Sequence, residues 1–318
     1  MKRNKKILVF VFKAIVILLS YVYIVSRLKT FDFSSFLTVD FMFFYLLFAV
    51  FMLMLLNWSL EAFKWQTLVN RVENTGFFTS LKNVLIGMIF GLFTPNRIGE
   101  IGGRSIYLKP GNRVKGVVAA SIGSYAQMTV TVVLGLLGFG AILFFFGAFG
   151  LEVKSLKIVG ILLSVLAIIM LLGFFRLDVF IKVLHFFRVP SKFTDKISIL
   201  NEYSKASLAK ILTISVLRYV VFVFQYYLLL KLFGVEIDFF IAIAGILSVF
   251  LLMNLLPNVV IADLGIRGSV SVFILGQFAE NLQGILSASI LLWIINILIP
   301  ALIGQALFLK SKSSIIRS

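Results

Sequence analysis

The sequence predicts an all-α, polytopic integral membrane helical bundle, with about six full crossings and two broken or re-entrant helical hairpins in a weak inverted repeat. Three observations point there. Of 318 residues, 61% are hydrophobic and 14% charged, whereas soluble domains carry about a quarter charged. The apolar residues gather in runs near the roughly 20 that a helix needs to cross a hydrocarbon core of about 30 Å. Two further runs are shorter and stop at Pro95-Asn96 and Pro257-Asn258. The runs occupy nearly the whole chain, so residues 1–318 read as a single transmembrane domain.

Charge and rare residues exclude several function classes. The net charge is +17, from 30 Lys and Arg against 13 Asp and Glu. The basic residues sit between apolar runs, where Lys and Arg mark cytoplasmic loops and attract anionic lipid headgroups. That placement argues against nucleic acid as a partner. With no cysteine and His185 as the lone histidine, disulfides, thiolate chemistry and His or Cys metal clusters are excluded, and neither a cofactor nor a metal is expected.

The elements follow in order. Met1–Lys6 is basic, and Ile7–Ser26 reads as a retained signal anchor whose Lys13 can snorkel to the interface. Phe41–Leu60 is the second crossing, and the stretch from Asn57-Trp58 to Lys64-Trp65 suits a membrane interface. Asn83–Lys109 holds only about a dozen apolar residues before Thr94-Pro95, then Asn96, Arg97, Gly99, Glu100, Gly102, Gly103 and Arg104. Val114–Phe149 and Leu156–Phe175 each cross once. Arg176–Lys210 carries seven Lys and Arg against three acids, which places it in the cytoplasm. Inside it, Leu177, Phe180, Ile181, Leu184 and Phe187 recur at helical spacing, predicting an interfacial amphipathic helix that Pro190 ends. Ile211–Phe233 and Phe239–Leu256 are apolar, Pro257–Gln277 is broken by Asp263, Gly265, Arg267 and Gly268, and Leu282–Leu309 is the last crossing before a basic tail.

Charge parity constrains the two broken segments. With both termini cytoplasmic, Asn83–Lys109 and Phe239–Gln277 must each contribute an even number of crossings, the first starting from inside and the second from outside. Opposed broken helices in two halves of a chain point to an inverted-repeat transporter with its site near the midplane. The Pro95 and Pro257 tips, with Asn96 and Asn258 beside them, are therefore candidate binding positions.

Arg97, Glu100 and Arg104 each cost roughly 2.5 to 3.5 kcal/mol at a lipid-exposed helix centre, so their hairpin cannot face lipid alone. Spacings of three and four place all three on one helix face. The cluster keeps a positive surplus that, with backbone donors from Gly99, Gly102 and Gly103, suits phosphate or another anionic headgroup. Arg267 offers the same chemistry from the second hairpin. The alternative is an Arg-Glu-Arg lock on the fold, and Asp263 at four residues from Arg267 equally suits an internal ion pair. Gly87 and Gly91 form a GxxxG pair suited to helix packing.

Asn57-Trp58 with Lys64-Trp65, the run Thr94-Pro95-Asn96-Arg97-Ile98-Gly99-Glu100, Arg104, Leu256-Pro257 and Asp263-Leu264-Gly265-Ile266-Arg267 resemble the flippase-like membrane family named for the transmembrane region of lysylphosphatidylglycerol synthase. The resemblance covers nearly the whole chain. It implies a cell (inner) membrane protein that translocates or handles modified lipids through Arg97, Glu100, Arg104 and Arg267. The chain departs from the family's frequent Glu-Arg where it reads Gly123-Ser124-Tyr125-Ala126-Gln127, and from Arg-Glu where Gly268 follows Arg267. No soluble synthase domain is expected in 1–318. The expectation is a transporter handling an anionic lipid or lipid-linked headgroup, alone, as a homo-oligomer or with a partner membrane protein. The alternative is an integral-membrane enzyme or accessory subunit in lipid or lipid-linked glycan metabolism, for which no catalytic motif is found.

Overall fold

The computed structural model describes residues 41–94, 97–145, 153–177, 197–255 and 263–311. Among them every regular element is helical: α1 Phe41–Val69, α2 Phe77–Leu92, α3 Ile98–Ser105, α4 Arg113–Phe145, α5 Val153–Phe175, α6 Lys205–Leu232, α7 Phe239–Leu255, α8 Asp263–Leu275, α9 Leu282–Trp293 and α10 Ile299–Lys310. A π-helical turn, Ile294–Leu298, joins α9 to α10. Four stretches are long and apolar enough to cross a membrane: Phe41–Val69, Pro110–Phe144, Lys205–Leu232 and Leu282–Lys310. The Ile7–Ser26 crossing, the amphipathic stretch with His185 and Pro190, and Pro95, Asn96, Pro257 and Asn258 lie outside the described residues.

One expectation needs correction. The Asn57–Trp65 stretch does not present these side chains to lipid headgroups, because α1 continues unbroken to Val69 and buries Asn57 (0% exposed), Lys64 (1%) and Trp65 (0%) inside the bundle. Mixed Trp and Lys read as an interface belt by composition. Spacing decides otherwise, since Asn57, Glu61 and Lys64 recur at four and three residues and share one helix face. That face turns inward, while Phe41, Phe44 and Phe48 at the other end of α1 are exposed.

Helices α1 and α6 pack antiparallel along the centre of the bundle. Gln225 donates to the Val50 carbonyl at 2.9 Å, Arg218 to Asn57 Oδ1 at 2.9 Å, and Tyr203, just before α6, to the Leu68 carbonyl at 2.8 Å. Residue numbers rise along one helix as they fall along the other, so the C-terminal ends of α1 and α6 lie at opposite faces. A helical hairpin follows each.

Each hairpin has its two ends tied together. In the first, Glu73 before α2 accepts from the Lys109 N–H at 3.1 Å and from Asn112 Nδ2 at 3.0 Å, both beyond α3. In the second, Asn281 beyond α8 donates to the Phe233 carbonyl before α7 at 3.0 Å and caps α9 by accepting from the Gly284 N–H at 2.8 Å. Each segment thus enters and leaves on one side, as parity requires, and the antiparallel α1 and α6 make those sides opposite. An eight-residue α3 is only about 12 Å long, too short to cross.

The neighbour relations repeat between the halves. Helix α1 packs on α2 as α6 packs on α7; α3 packs on α4 as α8 packs on α9; and α2 packs on α10 as α7 packs on α4. This is the inverted repeat expected from the two Pro-Asn breaks. At the end of α6, Gly234 adopts φ +63°, and the Val235 N–H reaches the Leu230 carbonyl at 2.9 Å, stopping the helix where the second hairpin begins.

Candidate functional site

The site grows from one carboxylate. Glu61 on α1 is 2% exposed and receives three cations: Lys64 on its own helix at 2.9 Å, Arg104 from α3 and Arg218 from α6. Arg104 takes one carboxylate oxygen, and Lys64 and Arg218 share the other. Lys64, Arg104 and Arg218 are at most 8% exposed. A buried carboxylate is stable only when paired and hydrogen-bonded, and here it joins three segments of the chain.

Amides extend this centre. Gln127 on α4 accepts from Arg218 at 3.2 Å and from Lys64 at 3.4 Å, and donates to the Ser215 carbonyl at 3.4 Å. Asn57 accepts from Arg218 Nε at 2.9 Å and donates to Asn296 Oδ1 at 3.3 Å. Asn296 sits in the π-helical turn, a local widening that often accompanies functional positions.

The first hairpin delivers Arg97, Glu100 and Arg104. Arg97 caps α3 in the left-handed region at φ 58°, ψ 26°, a conformation disfavoured for residues bearing a Cβ. Its guanidinium meets Glu100 at 3.1 Å, and the other Glu100 oxygen holds Arg104. Arg104 therefore bridges Glu100 and Glu61.

Close packing of glycines allows that reach. A Cβ on Gly103 would fall 2.9 Å from the Gly87 Cα, one on Gly87 2.8 Å from Arg104 Cγ, and one on Gly91 3.2 Å from Glu100 Cβ. Gly87 and Gly91 on α2 thus face α3, as small-residue interfaces in membranes do. Gly99 also packs on α2, and its N–H donates to Thr94 Oγ1 at 2.7 Å, so that donor is committed within the hairpin. Gly102 faces open space.

A cavity of about 520 Å³ lies against this cluster. Five basic side chains line it, Lys64, Arg97, Arg104, Arg218 and Arg267, against Glu61 and Glu100, a formal surplus of three positive charges among the described lining residues. Arg104 from the first hairpin and Arg267 from the second therefore share one space. Its walls include Trp58, Phe222, Phe250 and Trp293, with Ser124 and Asn254 exposed. The Arg218 guanidinium lies 5.8 Å from the Phe222 ring centre. Among the described residues, no group of three His, Cys, Asp or Glu is arranged to hold a metal.

Of the residues singled out from sequence, Arg97, Glu100, Arg104 and Arg267 meet at this cavity. Asn96, Asn258, Pro95 and Pro257 lie outside the described residues, as does the side chain of Asp263 at the start of α8. Sequence reasoning missed Glu61, Lys64, Gln127, Arg218 and Asn296. Arg218 was detectable, because a guanidinium in the middle of a 28-residue apolar helix requires an internal partner.

The family described as the lysylphosphatidylglycerol synthase TM region matches residues 8–304. The chain belongs to this family. As a family member it is a multi-pass membrane protein, in agreement with its four membrane-length helices. The match encloses α1 to α9 and the whole ion cluster. It also covers Gln127, which joins the network. A search of the curated proteins gave no match.

Proposed function

We propose that this family member moves or presents a lipid whose anionic headgroup enters the cavity between the hairpins while its acyl chains stay in the bilayer. The observation that carries the reading is the buried positive surplus around Glu61. One carboxylate faces Lys64, Arg104 and Arg218, all nearly water-excluded. Uncompensated charge in such a place costs several kcal/mol even after relaxation, and an incoming phosphate would offset that cost. Guanidinium groups bind phosphate in a fork that an ammonium cannot reproduce. Opposed hairpins on an inverted repeat suit exposure of one central site to each side in turn.

The proposed setting is the cell's inner membrane, with both termini and the basic Arg176–Lys210 connection on the cytoplasmic side. No chemical step is assigned to the protein. Glu61 and Glu100, the carboxylates among the described lining residues, are held by guanidinium or ammonium groups, an arrangement that favours fixed charge over proton transfer.

The test is transbilayer movement of labelled lipids in proteoliposomes, comparing wild type with Arg97→Ala, Arg104→Ala, Arg218→Ala and Arg267→Ala after each is shown to be folded by its melting profile. Loss of movement in the folded variants supports the reading. Undiminished movement in all four contradicts it.

A further inference from the structure

The cavity wall carries neutral hydrogen-bonding groups that none of the ion pairs uses. Trp58 on α1 and Tyr219 on α6 both line the space, and they are 6% and 3% exposed. The Trp58 indole N–H and the Tyr219 hydroxyl are buried without a hydrogen-bond partner. So are the Nε atoms of Arg97 and Arg104, which line the same cavity. An indole N–H and a guanidinium Nε–H can only donate, and buried donors left open call for an acceptor.

The packing of α1 on α6 sets where these groups stand. Arg218 Nε donates to Asn57 Oδ1 at 2.9 Å, so the next residue on each helix, Tyr219 and Trp58, lies at the level of that contact. The Tyr219 ring packs on Phe250 of α7, with ring centres 5.8 Å apart, which fixes the phenol. Arg104 reaches the same level from α3 by sharing Glu61 with Arg218. Open donors from three helices therefore border one space. Positive charge alone attracts any anion, whereas donors on several walls suit one whose oxygens point several ways, as those of a tetrahedral phosphate do.

We infer that Trp58 and Tyr219 are headgroup-binding residues that seat a phosphate between α1, α3 and α6 through the indole N–H and the phenol. The inference rests on reading the cavity as a headgroup site and names phosphate as the group it recognises. Losing one hydrogen bond to a charged group weakens binding roughly tenfold. A donor with no partner in the empty protein adds nothing to its folding, so deleting it lowers affinity and leaves ligand-free melting unchanged. Tyr226, seven residues further along α6, packs on the same Phe250 at 6.0 Å but lies outside the cavity lining, which makes it the matched control.

The experiment uses the full chain in maltoside micelles free of phospholipid, titrated with phosphatidylglycerol, with diacylglycerol, which has no phosphate, and with inorganic phosphate. Binding is read by ligand-dependent thermal stabilisation of wild type, Tyr219→Phe, Trp58→Phe and Tyr226→Phe. Tyr219→Phe, which keeps the ring, should weaken phosphatidylglycerol binding roughly tenfold with ligand-free melting unchanged. Trp58→Phe should weaken binding similarly, and Tyr226→Phe should bind as wild type does. Stabilisation by inorganic phosphate with the same dependence on Tyr219 supports the seat and makes the free ion its ligand. Wild-type affinity in both Tyr219→Phe and Trp58→Phe overturns the inference and leaves the charged headgroup site standing. An equal loss in Tyr226→Phe also overturns it, as does a Tyr219→Phe protein destabilised without ligand, because the hydroxyl would then serve the fold. Equal stabilisation by diacylglycerol and phosphatidylglycerol overturns the assignment of phosphate. No stabilisation of wild type by either phosphate-bearing ligand overturns the headgroup site as well.

Discussion

Replacing Glu61 with Gln keeps the size of the side chain and removes the charge on which three helices converge. Glu61 is 2% exposed, and its partners Lys64, Arg104 and Arg218 are buried with it. Breaking a buried ion pair by removing one member costs about 3 to 5 kcal/mol, because the remaining charge stays buried without compensation. Lys64 and Arg218 lose their only carboxylate here while Arg104 keeps Glu100, which puts Glu61→Gln near the upper end, about 5 kcal/mol. At roughly 2 to 4 °C per kcal/mol for chains of this order, the melting temperature falls on the order of 10 °C. The assay is thermal unfolding of the detergent-purified protein followed by fluorescence-detected size exclusion. A second substitution, Lys64→Met, removes one of the stranded cations and should recover part of the loss, giving a coupling energy above about 1 kcal/mol in the double-mutant cycle. A Glu61→Gln protein that melts within a degree or two of wild type, or no recovery in the double variant, refutes the assignment of Glu61 as the electrostatic centre.

Other perturbations separate packing from function. Gly103→Val drives a branched side chain into Gly87 and Phe90; it should part α3 from α2, lower stability by about 1 to 3 kcal/mol as overpacking does, and abolish headgroup binding in any folded fraction. Arg97→Gly relieves a left-handed backbone worth roughly 1 to 2 kcal/mol while losing a part-exposed pair to Glu100 worth about 0 to 1 kcal/mol, so melting should hold or rise slightly as lipid binding weakens. Gly234→Ala strains the cap at φ +63° and should cost about 1 to 2 kcal/mol with headgroup selectivity unchanged, whereas Gly234→Asn should restore much of it.

The fold was legible because the bilayer imposes few solutions. Run length gave the long helices, the Pro-Asn breaks gave the hairpins, and charge parity required both hairpins to return to the side they came from, as the Glu73 and Asn281 ties display. Half of the ion cluster was legible by the same logic, since Arg97, Glu100 and Arg104 are too costly to face lipid. The other half was hidden by neighbours. Glu61 and Lys64 follow Trp58 and precede Trp65, so composition there mimics an interface, and only their spacing with Asn57 reveals a common inward face. Gln127 and Asn296 carry no charge to betray burial in an apolar run, and their roles depend on which helices become neighbours. The partnering of Arg218 with Glu61 joins positions 157 residues apart, a pairing that no local pattern encodes.

The most direct test is an experimental density map of the full chain in nanodiscs rich in phosphatidylglycerol. Arg104 and Arg218 should both be found on Glu61, with Arg267 across the same cavity and headgroup density within hydrogen-bonding reach of the guanidinium groups. A map in which Arg104 and Arg218 stand apart in bulk water, or in which acyl chains fill the space between the hairpins, would contradict it.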